Sequence, residues 1–334
     1  MPATPPASAR IDLHHHAIPP QLFGGDVAGA LTANSGWKFT EDSPAWSPGA
    51  SLAFMDAMGI STAILSLPND IESYLPAMTR RGFAREINTF CRQVADEHPG
   101  RFGFFAHLPT PTDPDAALEE VAYALDVLGA DGVTVTNVYG TGENARSLGD
   151  AVFEPLWAEL DRRKAVVFLH GEQTPGRNPA PNEFLTVPVV EVPNETYKAA
   201  ADLVTSGRKR QFPNVRIILS HSGGSTPFLA SRVAGLCAFH TDCDLSADEI
   251  IADFRTFYYE TALSGFETNL VALENFVPVD HILFGTDFPA VSPSAAAWYT
   301  RNVDAYFAYR PDALATVMEG NARELLSRAV SNLA

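Results

Sequence analysis

The sequence predicts an α/β fold, a (β/α)8 TIM barrel with a small insertion after its first strand. Three observations predict it. Eight short apolar, β-branched runs alternate with longer amphipathic ones along 334 residues. The first of those runs ends in histidine, and none of the 23 glycines forms the phosphate-binding fingerprint that usually follows the first strand of a doubly wound sheet. Histidine or an acid recurs at the ends of later runs, as residues gathered at one mouth would require.

The strand-like runs are 10–14, 61–67, 102–107, 132–136, 165–170, 215–221, 257–262 and 281–286. Helical patterns lie between them at about 50–59, 79–98, 114–129, 153–163, 195–207, 227–238, 247–254, 267–275 and 293–308, with a last one at about 311–329. The helix at 114 opens on Asp113-Pro114, a capping residue followed by proline at the first helical position. Residues 17–49 are too long for an ordinary connection. They are read as an insertion over the barrel mouth. Residues 171–193, rich in Pro, Gly and Asn, read as a second long loop that builds the pocket. Met1 to Arg10 is rich in Pro, Ala and Ser. Residues 1–9 are therefore expected to be a disordered tail, ahead of one barrel domain over 10–330.

Composition narrows the function. The chain is 46% hydrophobic, enough for one large core, and its net charge is −17. Such a chain repels nucleic acid and anionic membranes. Its one dense basic run, Arg208-Lys209-Arg210, reads as a solvated turn. Three cysteines, Cys91, Cys237 and Cys243, fit neither a zinc motif nor a disulfide framework. No apolar run suits a signal peptide or a bilayer span. The expectation is a cytoplasmic protein with a small-molecule substrate, no nucleic-acid partner and no membrane partner.

Residues 11–16 read IDLHHH. Side chains two apart on a strand share a face, so His14 and His16 project together and His15 projects away. His170 ends the fifth run, His221 the sixth, and Asp287 follows the eighth. The C-terminal ends of barrel strands converge. His14, His16, His170 and Asp287 thus offer three nitrogens and one carboxylate oxygen, a set that suits one divalent ion with an open position. His107, at the end of the third run, could also face the mouth. Asn194 reads as the N-cap of the helix after the long loop, and Glu191 could face the pocket.

Four stretches together resemble the metal-dependent amidohydrolase superfamily. They are IDLHHHAIPP (11–20), FEPLWAELDRRKAVVFLH (153–170), FPNVRIILSHSGG (212–224) and ILFGTDFP (282–289). The resemblance is to the branch of aminocarboxymuconate-semialdehyde decarboxylase and the nonoxidative aromatic-acid decarboxylases, nearest to the 6-methylsalicylate decarboxylase type. It runs from about residue 10 to residue 328. It implies that His14, His16, His170 and Asp287 hold the metal and that His221 is catalytic. It also implies a homodimer. The His-x-His form favours zinc, with manganese as the other candidate. Aminocarboxymuconate-semialdehyde decarboxylases carry arginines where this chain reads Ser51 to Asp56. Their absence argues against a dicarboxylate substrate.

The expected reaction is nonoxidative decarboxylation of a hydroxylated aromatic acid. Protonating the carboxyl-bearing carbon makes the ring an electron sink, after which CO2 can leave. Asp287 and His221 are the expected proton carriers, and Phe23, Trp46 and Phe288 the expected aromatic walls. The alternative is hydrolysis of a lactone, an amide or a C–C bond of a ring-cleavage product at the same ion. A binuclear hydrolase is disfavoured. The fourth strand, Val133 to Asn137, has no lysine to be carboxylated, and the fifth has Lys164 only at its start.

Overall fold

The computed structural model describes residues 9–19, 42, 45–67, 80–140, 142–171 and 181–326. Most of the expected tail and of the expected insertion, Phe23 included, lies outside them. Eight strands run in chain order round one sheet: β1 (Arg10–His16), β2 (Ile60–Ser66), β3 (Phe102–Ala106), β4 (Gly132–Thr136), β5 (Val166–His170), β6 (Arg216–Leu219), β7 (Tyr258–Glu260) and β8 (Ile282–Leu283). Every neighbouring pair is parallel. Beyond β8 the chain returns to β1. The Leu13 N–H donates to the Phe284 carbonyl at 3.1 Å, the Asp287 N–H to that of His14 at 2.8 Å, and the His16 N–H to that of Phe288 at 2.7 Å. Those bonds bring the last strand against the first, as a barrel requires.

Alternation along the strands sorts the apolar residues into two layers. Ile11, Leu13, Ile64, Phe105, Phe168, Ile218 and Leu283 form one buried cluster, which Leu325 and Leu326 of the last helical segment join. Their neighbours in sequence, such as Ala63, Leu65, Val167 and Leu169, pack outward against the helices. β5 shows the rule most plainly. Phe168 lies in the inner cluster, and His170, two residues on, opens the mouth.

The helices are α1 (Pro48–Met58), α2 (Arg80–Glu97), α3 (Pro114–Ala122), α4 (Glu154–Arg162), α5 (Val187–Thr205), α6 (Thr226–His240), α7 (Ala247–Phe254), α8 (Glu267–Phe276) and α9 (Pro293–Tyr306). Their starts follow capping chemistry. Asp113 caps α3 ahead of Pro114 as expected, and Ser47 and Ser292 cap α1 and α9 in the same way, each followed by proline. The pattern at 311–329 resolves into three consecutive short segments ending at Leu325. No helix among the described residues is long and apolar enough to cross a membrane.

Three sequence expectations are corrected. α5 starts at Val187, well inside the expected loop, and carries Pro193 in its interior. Asn194 is therefore no N-cap. It lies within α5, where its Nδ2 donates to the Val190 carbonyl and its Oδ1 accepts from Ser225 Oγ. The run Arg208-Lys209-Arg210 is a short helical turn, not a solvated one. Arg208 pairs with Glu154, Arg210 with Glu249 and Asp253, and Lys209 is buried over the Phe257 ring.

Candidate metal centre

Six polar side chains meet at the C-terminal ends of the strands. His14 and His16 end β1, His170 ends β5 and Glu260 ends β7, while His221 follows β6 and Asp287 follows β8. All six are buried. β1 supplies two of them through an irregularity. Its pairing with β2 shifts register between Asp12 and His15. That shift lets the inner face pass from Ile11 and Leu13 to His14 and His16. His15 points the other way, with Nδ1 on Asp12 at 3.0 Å and Nε2 on Ser51 Oγ at 2.9 Å.

Donor atoms of His14, His16, His170 and Asp287 all lie within 4.8 Å of one another. Nε2 of His14 is 3.1 Å from Nε2 of His16, and these nitrogens lie 3.2 Å and 3.0 Å from Asp287 Oδ1. That oxygen is buried, with no hydrogen-bond partner besides these ring nitrogens among the described residues. Each ring is held from its far side. Nδ1 of His14 meets Glu260 Oε1 at 2.9 Å, Nδ1 of His170 the Gly171 carbonyl at 2.8 Å, Nδ1 of His221 the Ala262 carbonyl at 3.2 Å, and Nδ1 of His16 lies 3.4 Å from the Ser66 carbonyl. An acceptor at Nδ1 places the proton there and turns the Nε2 lone pair inward. Three inward Nε2 atoms beside the Asp287 carboxylate call for a positive charge among them, a divalent cation or a second proton on His14.

The electrostatics agree. Burial works to lower His14, but Asp287 and Glu260 outweigh it and raise His14 to about 10. Burial, with the His14 charge added, lowers His16, His170 and His221. Asp287 is held well below the usual carboxylate range, because His14 and His16 outweigh the opposing effect of burial. The pocket thus already gathers one positive charge between two carboxylates, where a divalent ion would stand in place of the proton.

Glu260 was not foreseen from the sequence. Besides His14 it accepts the backbone N–H of His221 at 2.5 Å and that of Ala262 at 2.6 Å. One carboxylate thereby fixes a candidate ligand and the candidate proton carrier together. Gly285 makes room for it, since a Cβ there would lie 2.3 Å from Glu260 Oε2 and 2.8 Å from His14 Cβ. The backbone is strained at the two groups nearest the chemistry. His221 has φ 54° and Asp287 φ 66°, at a cost on the order of 1–2 kcal/mol each.

Two of the expected aromatic walls, Phe288 and Trp46, are not brought to this centre. Phe288 is fully buried, stacked on Phe54 with centroids 4.1 Å apart, and lies 5.2 Å from the His15 ring. It shares the outward face of His15, so its ring packs α1 rather than lining the pocket. Trp46 is buried against Phe90 of α2. Phe23 lies outside the described residues. His107 is buried at the end of β3, its backbone clamped by Asn88 at 2.8 Å and 2.9 Å.

Comparisons with known proteins show the family and the fold. The family model described as amidohydrolase matches residues 11–328. The decarboxylase macB of Penicillium terrestre is 40% identical, over 96% of this chain and 95% of that one. The 6-methylsalicylic acid decarboxylase acuB of Aspergillus aculeatus is 39% identical, over 96% of both. Among solved structures, a dihydroxybenzoic acid decarboxylase from Polaromonas with bound manganese shares the fold. Its TM-score is 0.79 at 24% identity, covering 96% of this chain and 97% of that one.

Proposed function

The chain belongs to the amidohydrolase family, and from that premise we propose that it is a metal-dependent carboxy-lyase. Its substrate on this reading is a hydroxylated aromatic carboxylic acid of the 6-methylsalicylate kind. The observation that carries the reading is the convergence of three histidines and Asp287 on one point, with His221 and Glu260 beside them. Relatives 39% and 40% identical over nearly the whole chain, both named decarboxylases, favour decarboxylation over hydrolysis at that point.

His14, His16, His170 and Asp287 would hold the ion. When bound, it would supply a Lewis acid that polarises the substrate's oxygen atoms. The chain supplies the proton. Asp287 is ionised at rest, so it takes up a proton from solvent, passed on by His221, before it delivers that proton to the carboxyl-bearing carbon. His221 is neutral at rest, with Nδ1 committed to Ala262, and leaves Nε2 to exchange protons beside it. A C–H bond forms at that carbon. The C–C bond to the carboxylate then breaks, its electron pair returns to the ring and CO2 leaves.

Zinc is the proposed ion, because imidazole dominates the donor set. A manganese-bearing neighbour of the same fold keeps Mn2+ as the second choice. The proposal extends to a cytoplasmic setting and a homodimer. The dimer draws on exposed aromatic surface, with Phe184 and Phe239 more than three-quarters exposed and Trp298 stacked on Phe266. The deciding experiment incubates metal-analysed protein with 6-methylsalicylate, 2,6-dihydroxybenzoate and salicylate. The expected outcome is CO2 release that a chelator abolishes and zinc restores. No release from a metal-loaded protein would move the assignment to hydrolysis and to lactone or ring-cleavage substrates.

A further inference from the structure

We propose that the cleft beside His221 seats an apolar substituent on the substrate ring, ortho to the carboxyl group, and that Leu263, Val291 and Ala295 select for it. This rests on the decarboxylase reading above and specifies its substrate.

The cleft has a volume of about 250 Å³. Pro193 of α5, Leu263 after β7, Val291 before α9 and Ala295 within α9 surround His221 there. Apart from His221, its polar side chains are two neutral hydroxyls, Ser264 and Tyr299, and no charged side chain lines it among the described residues. Those walls share backbone with the reacting groups. Leu263 follows Ala262, whose carbonyl meets His221 Nδ1 at 3.2 Å and whose N–H donates to Glu260. The Val291 N–H donates to the Asp287 carbonyl at 3.2 Å. The apolar surface is therefore built onto the groups that handle the proton.

That placement carries the chemistry. The proton goes to the carboxyl-bearing carbon, which two ortho positions flank. One carries the hydroxyl. On this reading the other is seated against this wall, beside His221. An alkyl group there is buried against apolar side chains and gains by leaving water. A second carboxylate meets no cation among the described lining residues and loses its hydration. Leu263 adds a further sign. It sits at φ 53°, a conformation glycine adopts freely and leucine does not. Its side chain is kept in the wall at a backbone cost.

The test compares kcat/KM for 6-methylsalicylate and 2,6-dihydroxybenzoate, in the wild type and in Leu263→Asn and Ala295→Ser. Asn tolerates positive φ, so the first variant changes polarity without forcing the loop. The expected wild-type preference for the methyl acid is about tenfold or more, the usual size for one apolar contact. Both variants should lower it toward unity with metal content and melting curve unchanged. A second arm measures equilibrium binding of the two products, 3-methylphenol and resorcinol, to the zinc-loaded protein, and needs no turnover. Preferential binding of 3-methylphenol, weakened in Leu263→Asn, supports the cleft even if neither acid is decarboxylated, in which case the decarboxylase reading falls alone. Turnover of both acids with ratios equal within twofold in all three proteins, and no preference between the phenols, overturns the cleft assignment and leaves decarboxylation standing. Ser264 or Tyr299 would then be meeting a second ring hydroxyl.

Discussion

At the scale of single residues, Glu260 and His221 both lie beside the point where the four donors converge. His221 lies beside the converging donors but is not one of the four. Replacing it by Ala should lower turnover by about 10²–10⁴-fold while the metal content, read by elemental analysis, stays that of the wild type. Loss of the ion along with activity would make His221 a ligand instead. Glu260→Gln keeps the size of the side chain but removes the charge facing His14 Nδ1. Weakening such a hydrogen bond behind a ligand typically costs about 10–100-fold in metal affinity, measurable by competition with a fluorescent chelator. The four donors were legible because each stands at the end of an apolar run in a barrel. Glu260 was not, because β7 is only three residues long and Tyr258-Tyr259-Glu260 shows no alternation to mark which residue faces inward. Phe288 was misread for want of the same rule, since the residue after an inward Asp287 turns outward.

At the scale of elements, the site depends on how β6 and α5 meet. All eight strands were legible in the sequence to within a few residues, because buried parallel strands read as continuous β-branched runs. The start of α5 was not. Pro188 and Pro193 give its first turns the composition of a loop, and the tertiary contact that favours helix there is invisible locally. That contact is the backbone of the His221 turn against α5. A Cβ on Gly224, which has φ 58°, would lie 1.8 Å from the Pro193 carbonyl oxygen. Gly224→Ala should therefore destabilise the fold by more than about 2 kcal/mol in urea unfolding. It should also lower kcat by moving His221. A near-neutral variant would show that the turn and α5 separate easily. The stretches 17–49 and 172–180 carry no comparable periodic signal in the sequence, so Phe23 remains a proposal.

At the scale of the whole molecule, the barrel gathers six buried ionisable groups at the C-terminal ends of its strands, and this makes stability depend on pH in a way the ion should cancel. In the metal-free protein His14 is raised from 6.5 to about 10. Between those values the folded chain holds a proton that the unfolded chain has released. Stability then falls as pH rises, because its slope follows the protons bound by the unfolded state minus those bound by the folded one. On the acid side the sign is opposite. His16, His170 and His221 are lowered by burial, so below 6.5 the unfolded chain binds protons that the folded chain refuses. The metal-free protein should be most stable near neutrality and melt at progressively lower temperature from about pH 7 to pH 9. Metal binding displaces the His14 proton, so affinity should rise with pH by up to about tenfold per unit over the same window. The gap in melting temperature between zinc-loaded and chelator-treated protein should accordingly widen from about pH 7 to pH 9. Thermal unfolding of the two forms side by side checks both slopes. A chelated protein that grew more stable toward pH 9 would mean that His14 carries no proton between Asp287 and Glu260, and the centre would have to be rebuilt around a different charge.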